Sequence, residues 1–142
     1  MFVKQLTVFI ENRAGRLSAV LNVLKESGAS ILSMSLSDTT EFGLLRLIVD
    51  NAEAGKEKMS EHGFSSLLSD VSVIQIPHKT GALQELLEML DQKGVNIEYM
   101  YGLSIDADQA YVVLKASDPE KVDAILTEEG IRTLSCADLA HI

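Results

Sequence analysis

Glu11-Asn12-Arg13-Ala14-Gly15-Arg16-Leu17 and Pro77-His78-Lys79-Thr80-Gly81-Ala82-Leu83 are two versions of one phrase, and their reading decides the fold. Each stands where an alternating run of apolar residues gives way to a helical stripe. Gly15 and Gly81 are 81 − 15 = 66 positions apart, and Gly28 and Gly94, at the far ends of those stripes, are 94 − 28 = 66 apart. Self-similarity at one period over most of a 142-residue chain means a duplicated unit, with domains expected at 1–69 and 70–142.

Upstream of the first turn, Leu6, Val8 and Ile10 alternate with Gln5, Thr7 and Phe9, the period of a half-buried strand over Val3–Glu11. Downstream, Leu17, Val20, Leu21 and Leu24 follow i, i+3, i+4, i+7 spacing, which asks for one helix face on a core, and Gly28 ends that helix. Strands are expected over Ile31–Ser37 and Leu44–Val49, joined by a polar turn over Asp38–Glu41, and a helix over Ala52–His62. Phe64–Leu68 reads as a closing strand and Val71–Ile76 as the first strand of the next unit, with Ser69 and Asp70 between them.

The second copy repeats the plan. Leu83, Leu86, Leu87 and Leu90 form the helical stripe, Ile97–Ser104 and Ala110–Ala116 are strands around a turn at Asp106–Gln109, and Asp118-Pro119 starts a helix reaching about Glu129. Ile131–Cys136 reads as the last strand, with Cys136 a small buried or semi-buried residue in it. Each half is therefore β-α-β-β-α-β. The fold class is α+β: two tandem ferredoxin-like units, each an antiparallel sheet with helices on one face.

Twelve Lys and Arg against 21 Asp and Glu, a net −9, repel a phosphate backbone and argue against nucleic-acid binding. No apolar run approaches the roughly 20 residues of a bilayer span, and Met1–Lys4 lacks the start of a signal peptide, so no membrane partner and a cytoplasmic location are expected. A single cysteine excludes a disulfide framework, and His62, His78 and His141 have no ligand spacing, so neither metal nor cofactor is expected. No nucleophile with its base and no phosphate loop is present, and the chain is not read as an enzyme.

The turn has chemistry of its own. The first turn of a helix leaves backbone N–H groups unpaired at the positive end of the dipole, where a carboxylate fits. Gly15 leaves the approach open, Asn12 offers an acceptor for an ammonium and a donor for a carboxylate, and Arg13 or Arg16 adds charge. The competing reading is structural: Asn12 caps the helix and Gly15 permits close packing. In the second copy His78 stands where Asn12 stands, and its two ring nitrogens do not reproduce the adjacent acceptor and donor of the amide, which favours the structural reading there.

On Asn12, Gly15, Leu17 and Gly28, echoed by Gly81, Leu83 and Gly94, the whole chain resembles two tandem copies of the ACT family, amino-acid-binding regulatory modules of βαββαβ plan. The family pattern of Asp or Asn, any residue, Pro, Gly, any residue, Leu has Ala14 and Thr80 at its Pro position and His78 at its first. The first half is also similar to the opening of the small regulatory subunits of acetolactate synthase. The resemblance implies an amino-acid ligand between units, and a regulatory action on a metabolic enzyme in trans by a homo-oligomer, expected to be a dimer. It implies a site at Asn12, Arg13, Ala14, Gly15, Arg16 and Leu17, with His78, Gly81 and Leu83 in the second copy. The other wall falls on the strand after each first helix: Ile31, Leu32 and Ser33, and Ile97, Glu98 and Tyr99. Tyr99 and Tyr101 stack on a ligand or pack at an interface.

Overall fold

The computed structural model describes residues 1–38 and 41–141, so the expected turn at Asp38–Glu41 falls partly outside the described residues. The elements run β1 (Val3–Glu11), α1 (Arg16–Ser27), β2 (Ile31–Asp38), β3 (Phe42–Val49), α2 (Ala52–Glu61), β4 (Ser65–Pro77), α3 (Ala82–Gln92), β5 (Ile97–Ile105), β6 (Gln109–Ala116), α4 (Pro119–Glu128) and α5 (Cys136–Leu139). They pack as two compact units, Lys4–Ser69 and Met1–Val3 with Asp70–Ile142.

In the Lys4–Ser69 unit the antiparallel order is β2-β3-β1, with Val8 opposite Leu45 and Leu6 opposite Leu47. These residues and Ile10 meet Val20, Val23 and Leu24 of α1 and Ala52 and Met59 of α2 in one core, with Leu17, Leu21, Phe64 and Leu68 at its margin. Each Leu or Val so buried contributes about 1.5–3 kcal/mol. An exposed ion pair such as Lys58–Glu61 is screened by water, so the apolar stripe decides the fold.

One surface of this unit differs from the expectation, and another is left open. Gln5 and Thr7, on the side of β1 away from the helices, are buried, and Gln5 Nε2 donates to Thr7 Oγ1 at 3.1 Å, so that face is not wet. Met34 and Leu36 pair in register with Leu47 and Leu45 and share their face, yet are 40% and 50% exposed. They lie on the edge strand, outside the core under α1 and α2.

The second unit orders its strands β4-β6-β5 and builds its core from Ile74 and Ile76, alternate residues of β6 from Ala110 to Ala116, and Leu86, Leu90, Val122, Ile125 and Leu126 of α3 and α4. The strands expected at Phe64–Leu68 and Val71–Ile76 are one strand, β4: Ser69 and Asp70 are common in turns, but no Gly or Pro stands beside them and the backbone stays extended through both. The last expected strand, Ile131–Cys136, is cut short. Thr133 makes a single antiparallel bridge to Ile74, flanked by Gln75 N–H to Arg132 O at 3.0 Å and Leu134 N–H to Val73 O at 2.9 Å. From Ser135 a capping box takes over, in which the Ser135 hydroxyl accepts from Asp138 N–H and the Asp138 carboxylate accepts from Ser135 N–H, starting α5. Cys136 is consequently exposed, at the start of a helix rather than inside a strand.

The N–H and hydroxyl of Ser135, with the Arg132 guanidinium beside them, hold the Asp138 carboxyl below the usual carboxylate range. A folded pKa below the unfolded one means that the stabilisation is fully present above the unfolded value, about 3.9, and is lost as pH falls through the lower folded value. Amide exchange at Leu139 is expected to accelerate over that acid window, and Asp138→Asn to remove this pH dependence. An unchanged profile in the variant would show that α5 is held by other contacts.

Candidate functional site

The two glycine turns have the same backbone. Gly15 has φ 86°, ψ −11° and Gly81 φ 86°, ψ −9°, both in the left-handed region at the N-cap of their helices. Arg13 N–H bonds Glu11 O at 2.9 Å, as Lys79 N–H bonds Pro77 O at 3.0 Å. Ala19 N–H bonds Gly15 O at 3.0 Å, as Glu85 N–H bonds Gly81 O at 2.9 Å. No side chain among the described residues caps α1 or α3, so the next first-turn N–H groups, those of Leu17, Ser18, Leu83 and Gln84, are left without a capping acceptor there. In contrast, α2, α4 and α5 are capped by Asn51, Asp118 and Ser135.

These facts change two roles. Asn12 does not cap α1, since the N-cap position is Gly15, and its side chain is exposed. Gly15 does not serve close packing, because a Cβ built on it meets nothing within 4 Å; the left-handed φ is what requires glycine. Ala14 is exposed and Leu17 half-buried at the core margin. Neither arginine is a free cation over the turn: Arg13 Nε is 2.8 Å from Glu11, and the Arg16 guanidinium lies 4.7 Å from the centre of the Phe64 ring, its Nε buried without a hydrogen-bond acceptor.

Within each unit the starts of β2 and β5 are far from the turn. Ile31 pairs with Val49 while Asp38 pairs with Gly43 and Glu11 with Phe42, so Ile31, Leu32 and Ser33 occupy the opposite end of the sheet from Gly15. Seven residues at about 3.3 Å each separate the two ends of β2 by roughly 20 Å. Ile97, Glu98 and Tyr99 are placed likewise, with Ile97 opposite Ala116 while Ile105 and Pro77 meet the start of β6. Glu98 lies 3.9 Å from Lys115.

The turn at Gly81 instead faces the other end of β5. A cavity of about 210 Å³ joins His78, Ala82 and Leu83 to Gly102, Ile105 and Tyr111. His78 N–H bonds Asp108 O at 2.9 Å and its Nδ1 is 2.9 Å from Asp106 O; a carbonyl only accepts, so Nδ1 carries a proton. The amides of Gln109 and Asp108, with the His78 ring nearby, hold the Asp106 carboxyl below its usual range and tighten this wall. A second cavity, about 440 Å³, opens on the other side of the same turn, between α3 and the segment Glu129–Arg132. Sequence reasoning missed Gly102, Ile105, Tyr111 and Arg132, because register rather than spacing brings them to the turn.

Tandem βαββαβ units with matching glycine turns define a duplicated α+β ferredoxin-like protein. The chain belongs to the ACT family as an ACT domain pair, whose profile matches residues 1–142. A solved structure of protein BT0572 from Bacteroides thetaiotaomicron is 32% identical with a TM-score of 0.93 over 100% of this chain and 98% of that one. The regulatory subunit of aspartate kinase from Thermus thermophilus shares the fold at 16% identity, with a TM-score of 0.64 over 88% of this chain and 90% of that one. No curated protein matches the chain. Membership of the family supports a regulatory, ligand-binding role, and no helix among the described residues is long and apolar enough to cross a membrane.

Because no neighbour opposes a Cβ at Gly15 or Gly81, the cost of a side chain there is backbone strain alone. Gly15→Ala and Gly81→Ala are each expected to lower unfolding free energy by about 1–2 kcal/mol in urea titrations, and by similar amounts. A loss at only one of them would mean that the turns do not share a conformation in solution.

Proposed function

We propose that the chain is a non-catalytic regulatory protein that binds an amino acid at its glycine turns and thereby changes its association with a metabolic enzyme or regulator in trans. One observation carries the reading: among the five helices of the described residues, only those that follow the duplicated glycine turns lack a side-chain cap. A ligand carboxylate supplies the missing acceptor at the positive end of the dipole, and the exposed Asn12 carbonyl is available to an ammonium. Ligand shifts association only through its different affinity for the free and associated forms. Units 1–69 and 70–142 would be the ligand-binding domains of a cytoplasmic homodimer.

A second reading, an interaction module that joins an enzyme without a metabolite, draws on the exposed apolar residues Ile31, Leu32, Met34 and Leu36 of edge strand β2 and on Phe42. Recovery of the same enzyme from lysate with and without amino acids would favour it.

In a thermal-shift panel of the twenty common amino acids, at least one is expected to raise the midpoint, with about 2.7 kcal/mol of stabilisation at a hundredfold excess over Kd. Loss of the shift in Asn12→Ala assigns the ligand to the first turn and its survival to the second. Silence from all twenty removes the amino-acid reading.

A further inference from the structure

The duplication supplies its own control for the larger cavity. Arg16 and Ala82 occupy the same place, the first helical residue after the left-handed glycine. Phe64 and Ile131 also correspond, each following a positive-φ glycine, Gly63 or Gly130, and each donating its N–H back to the preceding helix at 2.9 Å, to Met59 O and Leu126 O. In the Lys4–Ser69 unit these two positions hold Arg16 stacked over Phe64. In the second unit they hold Ala82 and Ile131, both lining the open cavity of about 440 Å³. That volume is within the roughly 300–1,000 Å³ of small-molecule sites.

The charges around the cavity diverge in the same direction. Arg13 is paired with Glu11, whereas its counterpart Lys79 has Pro77 in the place of that carboxylate, and its ammonium has no ion pair among the described residues. Glu85 stands where the first copy has Ala19, and its carboxylate likewise has no partner there. The other charges are engaged: Arg132 Nη1 donates to Gln75 at 3.1 Å, and Glu129 lies 3.4 Å from Lys93. The cavity that these two charged residues line has an apolar floor of Ile76, Ala82, Leu86, Met89 and Ile131.

We infer that this cavity of the second unit is a binding site for a zwitterion with a bulky apolar body, an α-amino acid of the leucine, methionine or phenylalanine kind. Lys79 takes the carboxylate, Glu85 the ammonium, and the floor the side chain. The first unit has its equivalent space filled by Arg16 and Phe64. The inference rests on the amino-acid reading for its ligand class and adds to it the site, the unit and the side-chain selectivity.

The test is isothermal titration of the whole protein with leucine, methionine, phenylalanine, alanine and aspartate. Binding of one or more of the first three is expected, with alanine and aspartate at least 10-fold weaker. Lys79→Met and Glu85→Gln, both exposed, should each weaken that binding about 10-fold or more without moving the ligand-free melting point. Ala82→Arg with Ile131→Phe, which transplants the plug, should abolish it. Binding that Asn12→Ala removes and all cavity variants leave intact overturns this inference while sparing the amino-acid reading. Binding of alanine or aspartate alone overturns the selectivity, and no binding of any common amino acid overturns both.

Discussion

The structure depends on one backbone constraint, a left-handed residue between the first strand of each unit and the helix that must turn back over the sheet. At φ 86° a side chain is strained, so the position is glycine, and a glycine N-cap has no side chain with which to satisfy the first N–H groups. The dihedral that aims Leu17, Val20 and Leu24, or Leu86 and Leu90, at their sheets therefore leaves a helix end open to an external acceptor. Folding and binding chemistry meet in a single torsion angle.

Much of the fold was legible because it rests on periodicity. The alternation through Leu6, Val8 and Ile10 and the stripes ending at Leu24 and Leu90 report local geometry, which short-range pattern encodes directly. What escaped depends on competition or on register. Ile131–Cys136 has strand-like residues, but the reciprocal bonds of Ser135 and Asp138 favour a helical turn, and no alternation rule weighs a capping box against a bridge. Gln5 and Thr7 look like the wet side of a strand and are buried, satisfied in part by each other. The neighbours of the second turn, Gly102 and Ile105, were out of reach because the pairing of β5 with β6 sets which end of β5 comes near Gly81.

Duplicated chains diverge most informatively where the backbone stays the same. Gly15 and Gly81 differ by 2° in ψ, yet the side chains around them carry different duties: a closed ion pair and a stacked guanidinium in one copy, and in the other a lysine and a glutamate, without ion pairs among the described residues, beside an open apolar floor. Equal frames with unequal fillings let one copy serve stability while the other is released from it.

The 13-residue strand β4 crosses from Ser69 to Asp70 without a break, although the packing of the chain divides there. Domain junctions are ordinarily the exposed, irregular stretches where inserted sequence, circular permutation and protease nicking are tolerated. Here the junction is extended backbone in mid-strand. Cutting the gene into halves at that point would leave each fragment with a severed strand end, so the two units must be engineered as one piece.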